Sequence, residues 1–407
     1  MRVLSNELSA HIGRRVTLAG WVHAKRDLGA VAFVLLRDRA GLAQIVAAGQ
    51  VELPPETVIE VEGEAVASAQ APDGVELRDP SFRVLSTPVE QPPLELRRPR
   101  LKETLPTILD YAAVSLRHPF RRAAFELAAA SLHGFRAALD RLQFTEISTP
   151  KIVAAATESG ANAFTLDYFG RPAFLAQSPQ FYKQTLVGVF ERVYETGPVF
   201  RAEPHDTARH LAEYTSLDAE LGFISDHFDV MAIVRVVVAG MVEAIRERAA
   251  AAVERLEVEL PDVPAEIPWV HFAETGVDDL DLAPADERRL CEEFGEFLFV
   301  TGSPMAKRPF YTHPEPARPQ YSNSFDLLFR GLEIVTGGQR LHRYGDYVAA
   351  LAGKTEPYEG YLQAFRYGMP PHGGFALGLE RWVARLTGAS NVRETTLFPR
   401  DLTRLVP

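Results

Sequence analysis

The chain has 407 residues, 46% hydrophobic and 10% aromatic, with 43 Lys and Arg against 54 Asp and Glu. That length supplies a large core and more than one domain, and a formal net charge of −11 excludes a protein that coats nucleic acid wholesale. Cys291 is the only cysteine, which excludes an intrachain disulfide framework and a cysteine-rich zinc module and leaves an inert buried thiol as the expectation.

The N-terminal MRVLSNELSAHIGRRV has neither an apolar signal core nor an Arg/Ser-rich transit pattern, and no apolar run reaches the roughly 18 residues of a membrane helix. A cytoplasmic protein with no membrane segment is expected. Charge is uneven along the chain. Residues 1–50 carry seven Arg and Lys against three Asp and Glu, and Arg97, Arg98, Arg100, Lys102, Arg117, Arg121 and Arg122 follow. Such stretches fit a polyanion held near the N-terminal end, although solvated surface is the commoner meaning of a charge run.

From Arg15 to Leu85 the pattern is one of short alternating segments with turn signals: VTLAGWVH, AVAFVLLRD, LAQIVAA, TVIEVEGEAVAS and SFRVL. Five strands in so short a span predict a small barrel of the OB type over residues 1–90. Pro-rich TPVEQPPLELRRPR breaks the alternation, and a hinge is expected over 91–112. Residues 113–407 then form one larger domain. Helical spacing over 120–142 puts Phe125, Leu132, Phe135, Leu139 and Leu142 on one stripe. Strands are expected at FTEISTPKIV and at 173–178, 192–203, 214–224, 324–329 and 331–335. The last, FALG, runs into a helix with Leu379, Trp382, Val383 and Leu386 on its apolar face. Strands separated by long helical excursions predict an α+β domain on an antiparallel sheet. Neither GxGxxG nor GxxxxGK[ST] occurs, so the two commonest nucleotide loops are absent.

Four constellations carry chemistry. In VFRAEPHDTARHLAEYTSLDAELGF, strand alternation puts Arg201 and Glu203 on one face, and Ser216, Asp218 and Glu220 on one face of the returning strand. His205, Arg209 and His210 lie on the loop between, with Tyr214 available to stack on a base. Spacing alone fits a charged hairpin tied by ion pairs equally well. In AFLAQSPQFYKQ, Ser178 and Gln180 share a strand face, with Lys183 three residues further on. In GLEIVTGGQRLHR, Glu333 and Thr336 precede a Gly337-Gly338 turn and Arg340. There a carboxylate can hold Mg²⁺ against phosphate oxygens, and glycines let backbone approach a ligand. HGGFALGLERWVARL delivers Arg381 to a helix start, which taken singly is also an ordinary packed corner.

Taken together, FTEISTP, FRAE…RH…EYTSLDAE and GGFALGLER resemble motifs 1, 2 and 3 of the class II aminoacyl-tRNA synthetases, in order and behind an OB-like domain. QSPQFYKQ, SFDLLFRGLEIVTGGQR, GMPPHGGFALGLER and the terminal LFPRD are similar to aspartyl-tRNA synthetases of the archaeal type. The resemblance spans almost the whole chain and is weakest over 231–318. It implies ATP-dependent activation of L-aspartate to aspartyl-adenylate and transfer to tRNA(Asp). It also implies ATP and Mg²⁺ as cofactors, and a homodimer through the motif 1 segment ending at Pro150.

The same resemblance implies roles position by position. Arg201 holds the α-phosphate and the substrate carboxylate, Glu203 reads the adenine amino group, and Arg381 and Tyr214 enclose the base. Arg209 and His210 meet the pyrophosphate, with Leu211, Gly378, Leu379 and Glu380 completing the ATP site, while Glu333 and Thr336 hold Mg²⁺. Lys183 and Arg340 take the aspartate side-chain carboxylate. Asp218, Gln180, Ser178 and Glu158 surround the amine, Glu158 lying in ATESGANAF where relatives read EGG.

In the barrel, Arg26, Phe33 and Gln44 match the anticodon-reading segments, although Phe33 alone would more often be core. Relatives that reject tRNA(Asn) read GWVW and carry a Lys before the last strands. This chain has His23 and Pro72 at those places, which implies charging of both tRNA(Asp) and tRNA(Asn). The alternatives are a discriminating aspartyl enzyme, an asparaginyl-tRNA synthetase and an inactive tRNA-binding paralogue.

Overall fold

The computed structural model describes residues 2–155, 163–204 and 206–406, so Glu158 and His205 lie outside the described residues. The chain divides into two compact units, Met1–His118 and Pro119–Pro407.

In the first unit, β1 (Arg15–Asp27), β2 (Val31–Arg37), β3 (Leu42–Ala48), β4 (Val58–Ala67) and β5 (Val75–Ser86) close a barrel in the order β1-β2-β3-β5-β4. Alternation builds it. Leu18, Val34, Ile45, Ile59, Val61 and Leu77 point inward and are fully buried, while the residues between them face out. β1 carries a bulge between Val22 and Ala24, so His23 is the extra residue. Two short helices, α1 (Leu105–Asp110) and α2 (Ala112–Ser115), end the unit.

The second unit is built on an eight-stranded sheet. In chain order its elements are α3 (Pro119–Arg141), β6 (Thr145–Glu146), β7 (Ile152–Val153), β8 (Thr165–Tyr168), β9 (Arg171–Leu175), α4 (Gln180–Phe190), β10 (Arg192–Phe200), β11 (Glu213–Gly222), α5 (His227–Arg248), α6 (Ala250–Leu256), β12 (Trp269–His271), α7 (Pro284–Phe294), β13 (Phe297–Thr301), β14 (Ser324–Phe329), β15 (Leu332–Gln339), α8 (Tyr344–Ala350), α9 (Glu359–Arg366), β16 (His372–Gly378) and α10 (Leu379–Thr387). The sheet runs β12-β13-β14-β15-β16-β11-β10-β6. Its inner pairs are antiparallel as expected, but the edge pairs β12–β13 and β10–β6 are parallel, so the sheet is mixed. β7, β9 and β8 form a separate small sheet.

The core lies between this sheet and α3, α5 and α10. Phe135, Val234, Val237, Met241, Phe325, Phe375, Trp382 and Val383 meet there, all fully buried. α3 buries Phe135 and Leu139 of the expected stripe and otherwise packs mostly through small residues. A Cβ on Gly134 would stand 2.5 Å from the Gly240 carbonyl oxygen of α5, so only glycine lets the two helices approach this closely. Phe125 is only partly buried. Cys291 on α7 is likewise partly buried, and burial pushes its thiol pKa up. Among the described residues no helix is long and apolar enough to cross a membrane.

Candidate active site

The antiparallel pair β10–β11 ends in the 201–212 loop, and β15 and β16 lie beside it across β11. Their exposed ends frame one cleft. One part is lined by Arg201, Glu203, Arg209, His210, Tyr214 and Arg381, the other by Gln180, Lys183, Asp218, Asp326 and Arg340, and Glu333 and Thr336 line both. The second part encloses about 280 Å³.

At the first end β10 stops at Phe200, so Arg201 and Glu203 sit just past the strand. Strand alternation therefore does not place them. Their charged groups are 3.8 Å apart, the Arg201 guanidinium lies 5.7 Å from the Tyr214 ring centre, and His210 Nε2 is 3.7 Å from Glu203. His210 Nδ1 is fixed by Thr207 Oγ1 at 2.6 Å. Arg381 opens α10 and reaches Glu333 at 3.6 Å. Leu379 and Leu211 turn their side chains into apolar clusters, and Gly378 is the N-cap of α10. Glu380 is buried and accepts from the Thr215 backbone N–H at 3.0 Å, with burial pushing its carboxyl up to about 7. Its side chain braces β11, so any ligand contact there belongs to the backbone.

Glu333 and Thr336 would fall on opposite faces of a regular strand. They share one face because Leu327 and Leu328 of β14 pair with Val335 and Glu333, leaving Ile334 bulged. The expected turn at Gly337-Gly338 does not exist, since both residues lie inside β15. Their lack of side chains serves the sheet. A Cβ on Gly337 would stand 2.5 Å from the Phe325 ring, and one on Gly338 2.6 Å from the Asn323 carbonyl oxygen.

Thr336 Oγ1 donates to Asp326 at 2.5 Å, and Arg308 pairs with the other Asp326 oxygen at 2.6 Å. Glu333 opens to the cleft with its side chain 39% exposed; crowding by surrounding protein first, and Asp326 next, push its carboxyl up to about 7. Among the described residues no three His, Cys, Asp or Glu side chains form a metal cage. Two neighbouring carboxylates and a hydroxyl nevertheless suit Mg²⁺, which takes few protein oxygens and keeps phosphate and water as its other ligands. A divalent cation would relieve the repulsion that raises Glu333.

At the far end of the cleft, Ser178 and Gln180 do not share a strand face, because β9 ends at Leu175 and Gln180 begins α4. That helix carries Lys183 inward, 1% exposed. Its ammonium contacts Asp218 at 3.0 Å, the Phe375 carbonyl oxygen at 3.1 Å and Glu220 at 3.3 Å. Two of its donors are hydrogen-bonded, while the contact with Glu220 is ionic and leaves Glu220 Oε2 without a hydrogen-bond partner. Arg340 donates Nε to Glu220 at 3.0 Å and NH2 to the Gly374 carbonyl oxygen at 3.0 Å. Glu220 is fully buried and its two cations hold its pKa below the usual carboxylate range against the opposing pull of burial. Ser216 donates to Asp218 at 2.5 Å.

Sequence reasoning grouped Glu220 with Ser216 and Asp218 by alternation but assigned it no part in the site. Asp326, Arg308 and Glu287 were missed altogether. Asp326 sits in the quoted SFDLLF segment, and its place opposite Thr336 was the available signal. Glu287 holds Arg209 from 78 residues away, and no local pattern announces that.

On the barrel, Phe33 is partly exposed between fully buried Ala32 and Val34 and lies outside the core. It pairs with exposed Arg26 on β1 and with Val46 on β3, and Gln44 follows opposite Leu35. Antiparallel partners point to the same side, so Arg26, Phe33 and Gln44 share the outer face; Gln44 also donates to Glu76 at 2.9 Å. His23 is 8% exposed and its Nδ1 lies 3.2 Å from Arg37, which forms a bidentate pair with Glu56 at 2.9 and 2.8 Å. Burial first, then Arg37, lower its pKa to about 4. Arg37 follows Phe33 and Leu35 by strand alternation, which sets His23 on that outer face. Pro72 starts the short turn before β5.

Residues 104–402 match the model of the tRNA synthetases class II (D, K and N), and residues 16–85 match that of the OB-fold nucleic acid binding domain. The chain is 47% identical to an Aspartate–tRNA(Asp/Asn) ligase of Deinococcus radiodurans, covering 100% of this chain and 99% of that protein. It is 46% identical to the protein of that name from Thermus thermophilus, covering 100% of each. Among solved structures, asparaginyl-tRNA synthetase from Pyrococcus horikoshii complexed with asparaginyl-adenylate superposes with a TM-score of 0.94 at 30% identity over 100% of both chains. Aspartyl tRNA synthetase from Entamoeba histolytica does so with a TM-score of 0.87 at 26% identity over 100% of this chain and 93% of that one. With a class II model across its larger unit, an OB-fold model across its barrel and relatives matching from end to end, the chain belongs to the class II tRNA synthetases (D, K and N).

Proposed function

We propose that the chain is a cytoplasmic enzyme that activates L-aspartate with ATP and esterifies it to tRNA(Asp) and tRNA(Asn). The observation that carries the choice of amino acid is the buried charge cluster of Lys183, Arg340, Asp218 and Glu220 at the end of the cleft. The likeness to an asparaginyl enzyme in fold does not select the substrate, because both activities use this architecture. Lys183 and Arg340 together do: both can only donate, and an amide offers them one acceptor oxygen where a carboxylate offers two.

In the first step an α-carboxylate oxygen of aspartate attacks the α-phosphorus of ATP, the bond to the β-phosphate oxygen breaks, and pyrophosphate leaves. No side-chain base is needed, so alignment and charge stabilisation do the work. Arg201 faces both the attacking carboxylate and the α-phosphate, Tyr214 and Arg381 enclose adenine, and Glu203 reads its amino group. Arg209 and His210 meet the pyrophosphate. Glu333 and Thr336, with Asp326, would hold Mg²⁺, which when bound would offset phosphate charge. In the second step the 3′-terminal ribose hydroxyl of tRNA attacks the adenylate carbonyl and AMP leaves.

Recognition of aspartate begins with an exchange of partners. In the free protein Lys183 donates to Asp218 and to the Phe375 carbonyl oxygen and pairs ionically with Glu220. When the substrate ammonium takes Asp218, with Gln180 and Ser178 beside it, the Lys183 donor that held Asp218 is released to the incoming side-chain carboxylate beside Arg340. Amine and tail are therefore read together. The cations are already compensated in the free protein, so rejection of asparagine rests on this exchange rather than on bare charge.

Residues 1–90 read the anticodon through Arg26, Phe33 and Gln44, 91–112 connect, and 113–407 carry the chemistry. His23 and Pro72 leave the third anticodon position open to either pyrimidine. The motif 1 segment supports a symmetric dimer, and a monomer at micromolar concentration in light scattering would count against it. ATP–pyrophosphate exchange with aspartate and asparagine assayed separately tests the central reading: aspartate-dependent exchange is expected, and exchange with asparagine alone, or with neither, would overturn it.

A further inference from the structure

Arg209 lies on the irregular 201–212 loop, yet one of its amino groups is held by both carboxylate oxygens of Glu287, at 2.8 and 2.5 Å. Glu287 is on α7, 5% exposed. It lines the cleft near Glu333 and feels the charge of Arg381. Arg385 of α10 faces the same pair. One buried carboxylate on α7 therefore ties the loop to the wall of the cleft.

An arginine on such a loop has a large rotamer entropy to lose when it engages a phosphate. Gripping a single amino group leaves the rest of the guanidinium to face the cleft, which Arg209 lines. A swinging Arg209 is disfavoured, because its departure would strand a buried carboxylate.

We infer that Glu287 is a positioning residue for the outer phosphates of ATP, bracing Arg209 from behind so that its free edge meets the β- and γ-phosphates without prior ordering. The inference rests on the functional reading above only for the identity of the nucleotide. It assigns α7, in the segment where the family resemblance is weakest, a part in the ATP site.

The test is calorimetric binding of ATP and of AMP to the full chain and to Glu287→Gln, Arg209→Ala and the double variant, with thermal melting as the check on folding. Glu287→Gln is expected to weaken ATP binding at least threefold and to leave AMP within twofold. It should add nothing further in the Arg209→Ala background. Equal weakening of ATP and AMP, or an undiminished effect of Glu287→Gln when Arg209 is already Ala, would mean a general structural role and overturn the inference. If the Gln variant does not fold, Glu287→Asp, one methylene shorter with its charge kept, is read by the same ATP-to-AMP ratio. Failure of aspartate-dependent exchange in the unaltered protein would sink the functional reading instead, while the ratio of ATP to AMP binding would still decide the role of Glu287.

Discussion

Glu333 and Thr336 stand three positions apart on β15 and face the same cleft because Ile334 is bulged out of register. The bulge brings a carboxylate, a hydroxyl and, across the ladder, Asp326 into one oxygen-lined corner, where burial first and the neighbouring Asp326 next push the Glu333 carboxyl up to about 7.

Protonation of Glu333 competes with Mg²⁺. Its folded pKa is raised, so the native chain binds more protons than the unfolded chain between the ordinary carboxylate pKa and about 7, and its contribution to stability falls as pH rises through that window. Mg²⁺ binding must follow the opposite trend. The Mg²⁺ concentration for half-maximal exchange is expected to rise by about tenfold per pH unit below 7 and to level off above it, as for a single competing proton. Glu333→Gln should abolish Mg²⁺-dependent exchange and make the ligand-free protein more stable than the unaltered one at pH 8. A flat Mg²⁺ requirement from pH 6 to 8 would refute the assignment.

Arg340→Leu removes one of the two cations on fully buried Glu220. Breaking a buried pair costs the fold about 3–5 kcal/mol, and the aspartate side chain separately loses its charge-assisted guanidinium partner, so aspartate-dependent exchange should fall by at least two orders of magnitude, while ATP still binds and stabilises the variant against heat. Near-normal exchange would remove Arg340 from the aspartate pocket.

What could be read from the sequence and what could not divide along a physical line. The barrel, α10 and the Ser216, Asp218, Glu220 face are local periodicities, and alternation places all of them. Past the end of a strand that rule lapses, as at Arg201 and Glu203, and a single bulged residue reverses it, as at Glu333 and Thr336. Gln180 and Lys183 read as a strand and its sequel because Pro179 looked like a stop, whereas it is the N-cap of α4. The Arg340–Glu220 and Arg209–Glu287 pairs span 120 and 78 residues. No local pattern encodes them, so only the folded topology could show that Lys183 and Arg340 share a carboxylate.

Phe33 is expected to act through tRNA alone. It is held outside the barrel core between Arg26 and Val46, so Phe33→Ala should leave melting and exchange unchanged. Loss of a stacked base is worth about 1–3 kcal/mol, which predicts a fall in aminoacylation kcat/KM of roughly fivefold to a hundredfold. A parallel loss in exchange, or a marked drop in melting temperature, would show Phe33 to be a packing residue.

The choice between tRNA(Asp) and tRNA(Asn) turns on the third anticodon base, C in one and U in the other, so strictness depends on a few contacts to one pyrimidine. At the two restrictive positions this chain has His23 and Pro72, and proline offers neither a charge nor a donor. Arg37 can only donate, so His23 Nδ1 accepts from it and the ring proton sits on Nε2. Depressed to about 4 by burial and by Arg37, the ring stays neutral throughout the physiological range, so it adds no cationic preference among bases. Pure transcripts of the two tRNAs should therefore be charged with kcat/KM values within about tenfold, some 1.4 kcal/mol, and with a ratio that does not move between pH 6 and 8. Because one base contact is worth about 1–3 kcal/mol, His23→Trp combined with Pro72→Lys should lower tRNA(Asn) charging at least tenfold and spare tRNA(Asp). A preference of a hundredfold or more for tRNA(Asp) in the unaltered protein would refute relaxed specificity. A ratio that titrates near pH 6.5 would show that burial and Arg37 do not hold His23 neutral.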